Sequence, residues 1–262
     1  MRCGVSMPMI GDPAALVDLA VFAEQAGWDG FFLWDHLQLD AITRPEVHDP
    51  WVLLGAIAAR TRRMRLGTLV TPVPRRRPWK LAREVVTLDH LSGGRAILGV
   101  GLGVPADIEY GAFGEATDAR THAAMLDEAL PLLDAFFRGE PVEHDGEYYQ
   151  VHAHLNPPAL QEPRPPIWVA ATFGRRRPLE RARRWDGIVP LNPAGPLSSA
   201  ELAELVKALD PPPGYDIVTA LGPDESVDAL AEAGATWLID GPAPEETFAA
   251  VQARVGLGPP RH

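Results

Sequence analysis

The sequence predicts an α/β fold of the (β/α)8 TIM-barrel class, and two observations carry the prediction. Eight short β-branched or apolar runs pass along the chain, each followed by a helix-like stretch, in unbroken alternation. Alternating strand and helix implies parallel strands, because a parallel partner is reached only through a crossover. The second observation is size: eight such units in 262 residues match the ~250 residues usual for this barrel. In such a fold the loops after the strands form the active face, so residues just past each strand are the candidates for chemistry.

Taken in order, the first run covers residues 3–8 and leads through the turn Gly11-Asp12-Pro13 into a helix. Leu16, Leu19, Ala20 and Ala23 fall on one face of that helix, and Gly27 stops it. Residues 30–34 and 65–70 are the second and third runs; Leu81, Val85, Leu88 and Leu91 stripe the helix after the third, which ends at Ser92-Gly93-Gly94. The fourth run is 96–101. The largest departure from a minimal barrel is the excursion between strands 4 and 5, residues 102–166. It holds a long helix with Leu126, Leu130, Leu133 and Phe137 on one face, stopped by Gly139. Residues 146–151 read as a small strand or hairpin, and a Pro-rich stretch returns the chain to the barrel. Runs 167–172, 187–191, 217–221 and 236–240 complete the eight, with Gly234 ending the seventh helix and the last helix expected near Pro244-Glu245-Glu246. The expectation is a single barrel domain over residues 1–262.

The formal net charge of −11 argues against nonspecific nucleic-acid or membrane-surface binding. No apolar run approaches the ~18–20 residues of a membrane span and no signal-like segment opens the sequence, so a cytoplasmic protein acting on a small molecule is expected. The single Cys3 excludes a disulfide framework and a multi-cysteine metal site. Two basic triplets stand out, Arg75-Arg76-Arg77 and Arg175-Arg176-Arg177, both in strand-to-helix loops. Cations at a helix start oppose the macrodipole. They read either as the grip for a polyanionic ligand or as solvated surface arginines.

Trp34-Asp35-His36 ends the second strand, where an Asp–His pair suits acid/base work or contact with a bound ring. His48-Asp49 lies in the loop before the second helix, within reach of the pocket, whereas His90 of Asp89-His90 falls inside a helix and reads as structural. The segment from Gly67 through Thr68, Leu69, Thr71 and Pro72 offers small and hydroxyl residues for a flat ring. Gly99-Val100-Gly101-Leu102-Gly103 fails the dinucleotide fingerprint, because Val104 stands at the third glycine position and Pro105 follows. Its glycines are expected to let a ligand press on the backbone. After the fifth strand, Thr172, Gly174 and Arg175 form a candidate phosphate cradle.

Together these segments resemble the luciferase-like monooxygenase family of flavin (FMN) and deazaflavin (coenzyme F-420) oxidoreductases. The matching stretches are Gly27-Trp28-Asp29-Gly30 through Asp35-His36, Asp49-Pro50-Trp51, Leu66-Gly67-Thr68, Leu88 through Arg95, Leu98 through Gly103, Pro165 through Ala171 and Trp185-Asp186-Gly187. The resemblance implies a cofactor, coenzyme F-420 or FMN, across the barrel mouth. Its ring would lie near the catalytic candidates Asp35 and His36, with Asp35, Thr68, Leu69, Thr71, Gly101 and Gly103 around it, and its phosphate by Thr172, Gly174 and Arg175. A non-prolyl cis peptide is implied at Thr68–Leu69. The arginine triplets lean towards the deazaflavin, whose tail carries a phosphodiester and several glutamates. Val104 stands where sugar-phosphate-oxidising members carry a glutamate, which puts that acid/base chemistry in doubt. Substrate would meet aromatics such as Trp34, Trp51, Trp79 and Phe113, and a homodimer would match many members. Hydride transfer and oxygen activation both stay open. Two other readings stand beside this one: a metal-dependent barrel hydrolase built on His36, Asp35, His48 and Asp49, and a catalytically silent flavin-binding protein.

Overall fold

The computed structural model describes residues 1–40, 42–243 and 246–260. The elements run β1 (Arg2–Met7), α1 (Pro13–Ala26), β2 (Gly30–Leu33), α2 (Pro50–Arg60), β3 (Arg65–Pro72), α3 (Pro78–Ser92) and β4 (Ala96–Gly101). The excursion follows as α4 (Ala106–Glu109), α5 (Ala119–Arg138) and the antiparallel pair β5 (Val142–Asp145) and β6 (Gln150–Ala153). The barrel resumes with β7 (Ile167–Thr172), α6 (Arg176–Ala182), β8 (Gly187–Leu191), α7 (Ser199–Leu209), β9 (Asp216–Ala220), α8 (Val227–Glu232), β10 (Trp237–Asp240) and α9 (Phe248–Gly256). Eight parallel strands close in the order β1-β10-β9-β8-β7-β4-β3-β2, a TIM barrel.

Local chemistry explains where the helices start and stop. Asp12, Asp49, Asp118 and Ser198 accept hydrogen bonds from backbone N–H groups in the first turns of α1, α2, α5 and α7. Gly27, Gly93 and Gly139 take the left-handed conformation after α1, α3 and α5. The stripes predicted on α1 and α5 are buried, but Leu91 of α3 is 54% exposed, because the buried face of that helix continues through Leu88, Asp89 and Ser92 instead. β1 and β9 each begin one residue before the predicted runs, where Arg2 and Asp216 pair with neighbouring strands. Of the expected start of the last helix, Pro244 and Glu245 lie outside the described residues, and α9 begins at Phe248 with Thr247 as its cap.

The barrel is plugged at its N-terminal end. The rings of Phe32, Trp168 and Trp237 meet with centroids 5.3–5.8 Å apart. Gly30 and Gly187 make room for them: a Cβ there would stand 2.7 Å from Phe32 and 2.5 Å from Trp168. Below the rings, Asp216 accepts from Trp168 Nε1 at 3.1 Å and from Arg2 at 2.6 Å, and the Arg2 guanidinium stacks 4.6 Å over Trp237. Burial pushes the Asp216 carboxyl up, against the pull of Arg2 and its hydrogen bonds. A sealed lower end leaves the mouth to the C-terminal ends of the strands.

The excursion is tied back to the wall. Asp89 accepts from Leu160 N, Gln161 N and Gln161 Nε2, and His90 Nε2 lies 2.8 Å from Pro158 O, as the structural reading of His90 expects. Glu128 of α5 receives the N–H groups of Tyr148 and Tyr149 and pairs with His144, which fixes the β5–β6 turn against the helix.

Candidate active site

Three consecutive strand ends build one network. β2 ends at Leu33, and Asp35 and His36 follow it directly. β3 runs on to Pro72 with a register shift against β4 between Thr68 and Thr71, and a tight 3-10 turn over Val73–Arg75 follows. That turn brings Arg75 and Arg76 back onto Asp35. Arg75 Nη2 donates to Asp35 Oδ1 at 2.6 Å, while Arg76 donates to both Asp35 oxygens at 2.8 and 3.1 Å. Thr71 Oγ1 donates to Asp35 Oδ2 at 2.9 Å and lies 2.8 Å from Thr68 Oγ1. Trp51 Nε1 completes the ring of donors at 3.4 Å. Burial alone would raise the Asp35 carboxyl, but the charges of Arg76 and Arg75 and the hydrogen bonds from Arg76 and Thr71 hold it below the usual carboxylate range. It is a fixed anion.

The fourth strand end adds a residue that sequence reasoning did not find. Glu109, last residue of α4 and fully buried, places Oε1 2.8 Å from His36 Nδ1 and Oε2 3.2 Å from Arg75 Nη1. The His36 side chain is 21% exposed, so one ring nitrogen is held inside and Nε2 is free to meet solvent or a ligand. Val104 carries no carboxylate, yet five residues further on the chain returns one to the histidine. The single-turn helix α4, invisible to periodicity, is the cause.

The other candidates divide. Leu69 is half-buried and lines a cavity of about 260 Å³ at the mouth, with Val189, Leu191, Val218 and Ile239. Thr68 and Thr71 are fully buried and committed to Asp35 and each other, so they support the anion and do not present hydroxyls to a ring. The cis peptide bond is Leu69–Val70, one residue beyond Thr68–Leu69, within the register shift. Gly101 and Gly103 sit in tight packing, where a Cβ would stand 2.8 Å from Val70 and 2.9 Å from Tyr110 respectively. Thr172 closes β7 and Gly174 and Arg175 follow it, all three exposed. Thr172 borders a cavity of about 790 Å³ between the ends of β4 and β7 and helix α5, whose wall includes Arg120 and Arg177. Neither arginine forms an ion pair among the described residues. Arg175 is the residue before α6 and is not on that wall; Arg177 is.

The two arginine triplets therefore part company. Arg75 and Arg76 are internal counter-ions, neither solvated nor free for a polyanion, while the Arg175–Arg177 triplet stays exposed. Trp51 serves Asp35, Trp34 donates to Ser6 Oγ, and Trp79 packs on Tyr149; Phe113 is 54% exposed. His48 Nε2 lies against Gly11 O and Asp49 caps α2, so His36, Asp35, His48 and Asp49 do not converge. Among the described residues no group of three or more His, Cys, Asp or Glu side chains is arranged to hold a metal ion, and no helix is long and apolar enough to cross a membrane.

Fold and site define a class: a parallel barrel with an apolar mouth floor, a buried arginine–carboxylate cluster holding one histidine, and an arginine-lined cavity beside it. The chain belongs to the luciferase-like monooxygenase family, whose model matches residues 3–221. It is 38% identical over 152 residues to an F-420-dependent glucose-6-phosphate dehydrogenase of Nakamurella multipartita, covering 53% of this chain and 41% of the relative. It is 31% identical over 157 residues to the oxygenase component of a flavin-dependent trigonelline monooxygenase of Acinetobacter baylyi, covering 60% and 42%. The matches thus span about two fifths of the length of these curated relatives. In fold, it superposes on the coenzyme F-420-dependent tetrahydromethanopterin reductase of Methanopyrus kandleri with a TM-score of 0.76, at 17% identity, over 98% of this chain and 96% of that one.

Proposed function

We propose that this barrel is an oxidoreductase that binds a flavin or deazaflavin at its mouth and acts on a small organic substrate beside His36. The observation that carries the reading is the His36–Glu109–Arg75–Asp35 network, which orients one imidazole at the active face with no other evident use. When bound, the reduced cofactor would supply a hydride, or electrons for oxygen. Everything else is the work of the chain's own residues. Leu69, Val189, Val218 and Ile239 give an apolar floor that suits a planar ring and excludes water. Thr172, Arg120 and Arg177 suit a phosphate, through side-chain donors alone, since α6 is only seven residues long. Glu109 Oε1, 2.8 Å from His36 Nδ1, would accept a proton carried there, which leaves Nε2 as the atom to exchange a proton with substrate.

The relatives include users of both cofactors. With Arg75 and Arg76 internal, the preference for the deazaflavin rests on the Arg175–Arg177 side alone. Titration of the purified protein with FMN and with coenzyme F-420, followed by native mass spectrometry, tests the reading. Saturable binding of either supports it, and the same spectrum reads the assembly, for which we propose a homodimer. Binding of neither overturns it. His36→Ala is expected to lower kcat by about 10²–10⁴-fold while leaving cofactor binding in place.

A further inference from the structure

A cavity of about 980 Å³ opens between the C-terminal ends of β1, β2 and β10 and the helices α1 and α9. Its size lies at the upper end of the ~300–1,000 Å³ usual for a small-molecule pocket. Apolar side chains with surface still to cover line it: Ile10 and Phe248 are each 37% exposed, and Ala15, Trp34, Leu39 and Pro242 are half-buried. Apolar groups gathered around a hollow hold water against surface that a ligand would dry. Every charged side chain of this wall, among the described residues, is an acid. Asp12 caps α1, Asp40 accepts the N–H groups of Ile42 and Thr43, Glu246 pairs with Arg254, and Glu46 is exposed. Trp34 joins the cavity to the candidate active site. Its Nε1 donates to Ser6 Oγ at 3.1 Å, which fixes the indole, and its ring stands edge-on to His36 with centroids 6.2 Å apart.

On the reading of the barrel as an oxidoreductase, we propose that this cavity takes the apolar body of the substrate and that this body is uncharged. An apolar body against Ile10, Leu39 and Phe248 would leave its reacting end at Trp34, one ring away from His36. A phosphate or carboxylate placed there would meet carboxylates and no cation of the wall, and like charges brought together oppose binding. Anionic groups are served on the other side of the mouth, where Arg120 and Arg177 line their own cavity. The substrate class that follows is an apolar molecule without an acidic group.

The test is calorimetric titration of the purified protein, without cofactor, using 1-octanol and separately sodium octanoate, each below the concentration at which it aggregates. Saturable binding of 1-octanol at one site, with octanoate bound about tenfold or more weakly, is the expected result. Ala15→Trp fills the cavity from α1, and Ile10→Asp adds a further acid to its wall. Each is expected to weaken 1-octanol binding about tenfold or more. Ile10 is exposed, so that variant reports even if the filled one folds poorly. Absence of saturable 1-octanol binding, octanoate bound as tightly as the alcohol, or binding unchanged in both variants overturns the proposal. The titration needs no cofactor, so its failure leaves cofactor binding standing, and a failure of cofactor binding leaves the titration readable.

Discussion

Asp35 is the residue on which the site's electrostatics turn. It is 2% exposed and answers two guanidinium groups, so removing its charge leaves buried cations without a counter-ion. Asp35→Asn is expected to cost about 3–5 kcal/mol in chemical denaturation at neutral pH. The sign of the pH dependence follows from its depressed carboxyl. The contribution of Asp35 is complete above the ordinary carboxylate value of about 4, and it is lost as pH falls through the lower folded-state value. The gap between the parent protein and Asp35→Asn should therefore narrow in acid, where a protonated Asp35 resembles the amide. A gap that stays constant with pH would mean that the carboxylate is not the charge holding the arginines. Glu109 acts through His36, so Glu109→Gln is expected to lower kcat by about tenfold, shift its pH profile and leave KM little changed. A change confined to KM would assign Glu109 to packing alone.

At the scale of elements, α2 reaches the site through its first turn. Asp49 accepts from Trp51 N and Val52 N, and Trp51 in turn faces Asp35. Asp49→Ala should cost about 1 kcal/mol, measured by thermal or denaturant unfolding. The β3–β4 pair tolerates less: a Cβ at Gly99 would stand 2.3 Å from Thr68 O, a backbone atom that cannot swing aside. Gly99→Ala is expected to destabilise by about 3 kcal/mol, at the upper end of overpacking costs. How far each element was legible follows from its physics. Helix stripes and Gly stops declare themselves through period and backbone freedom, so α1, α5 and most of α3 were readable. α4 is one turn long and carries no period, which is why Glu109 was not. Arg95 looked like part of a family signature; it is a buried clamp that donates to Ser92 O, Met64 O, Thr61 and Ala58 O. The Arg75–Arg76 contacts depend on a three-residue 3-10 turn and on partners from two other loops, relations that no local window contains.

The molecule as a whole separates its charges around the mouth. Lys207 is the one Lys or Arg between Arg184 and Arg254, so the β8–β10 side of the barrel is almost without cations. The side from β3 to β7 carries Arg75–Arg77, Arg120 and Arg175–Arg177. A ligand with an anionic tail would lie across that gradient, its apolar end on Leu69 and Val189 and its tail towards Arg120 and Arg177. Cofactor affinity should then fall with rising salt, and Arg177→Ala should both weaken binding and flatten that dependence. Insensitivity to salt and to Arg177→Ala would remove the tail from that cavity. A crystal structure of the protein with the cofactor that it binds in titration is the most direct measurement of the central claim. The account predicts the ring over Leu69 and Val189 with His36 Nε2 turned to it and Glu109 on Nδ1. A ring bound outside the strand C-termini, or a His36 facing away from it, would contradict the account.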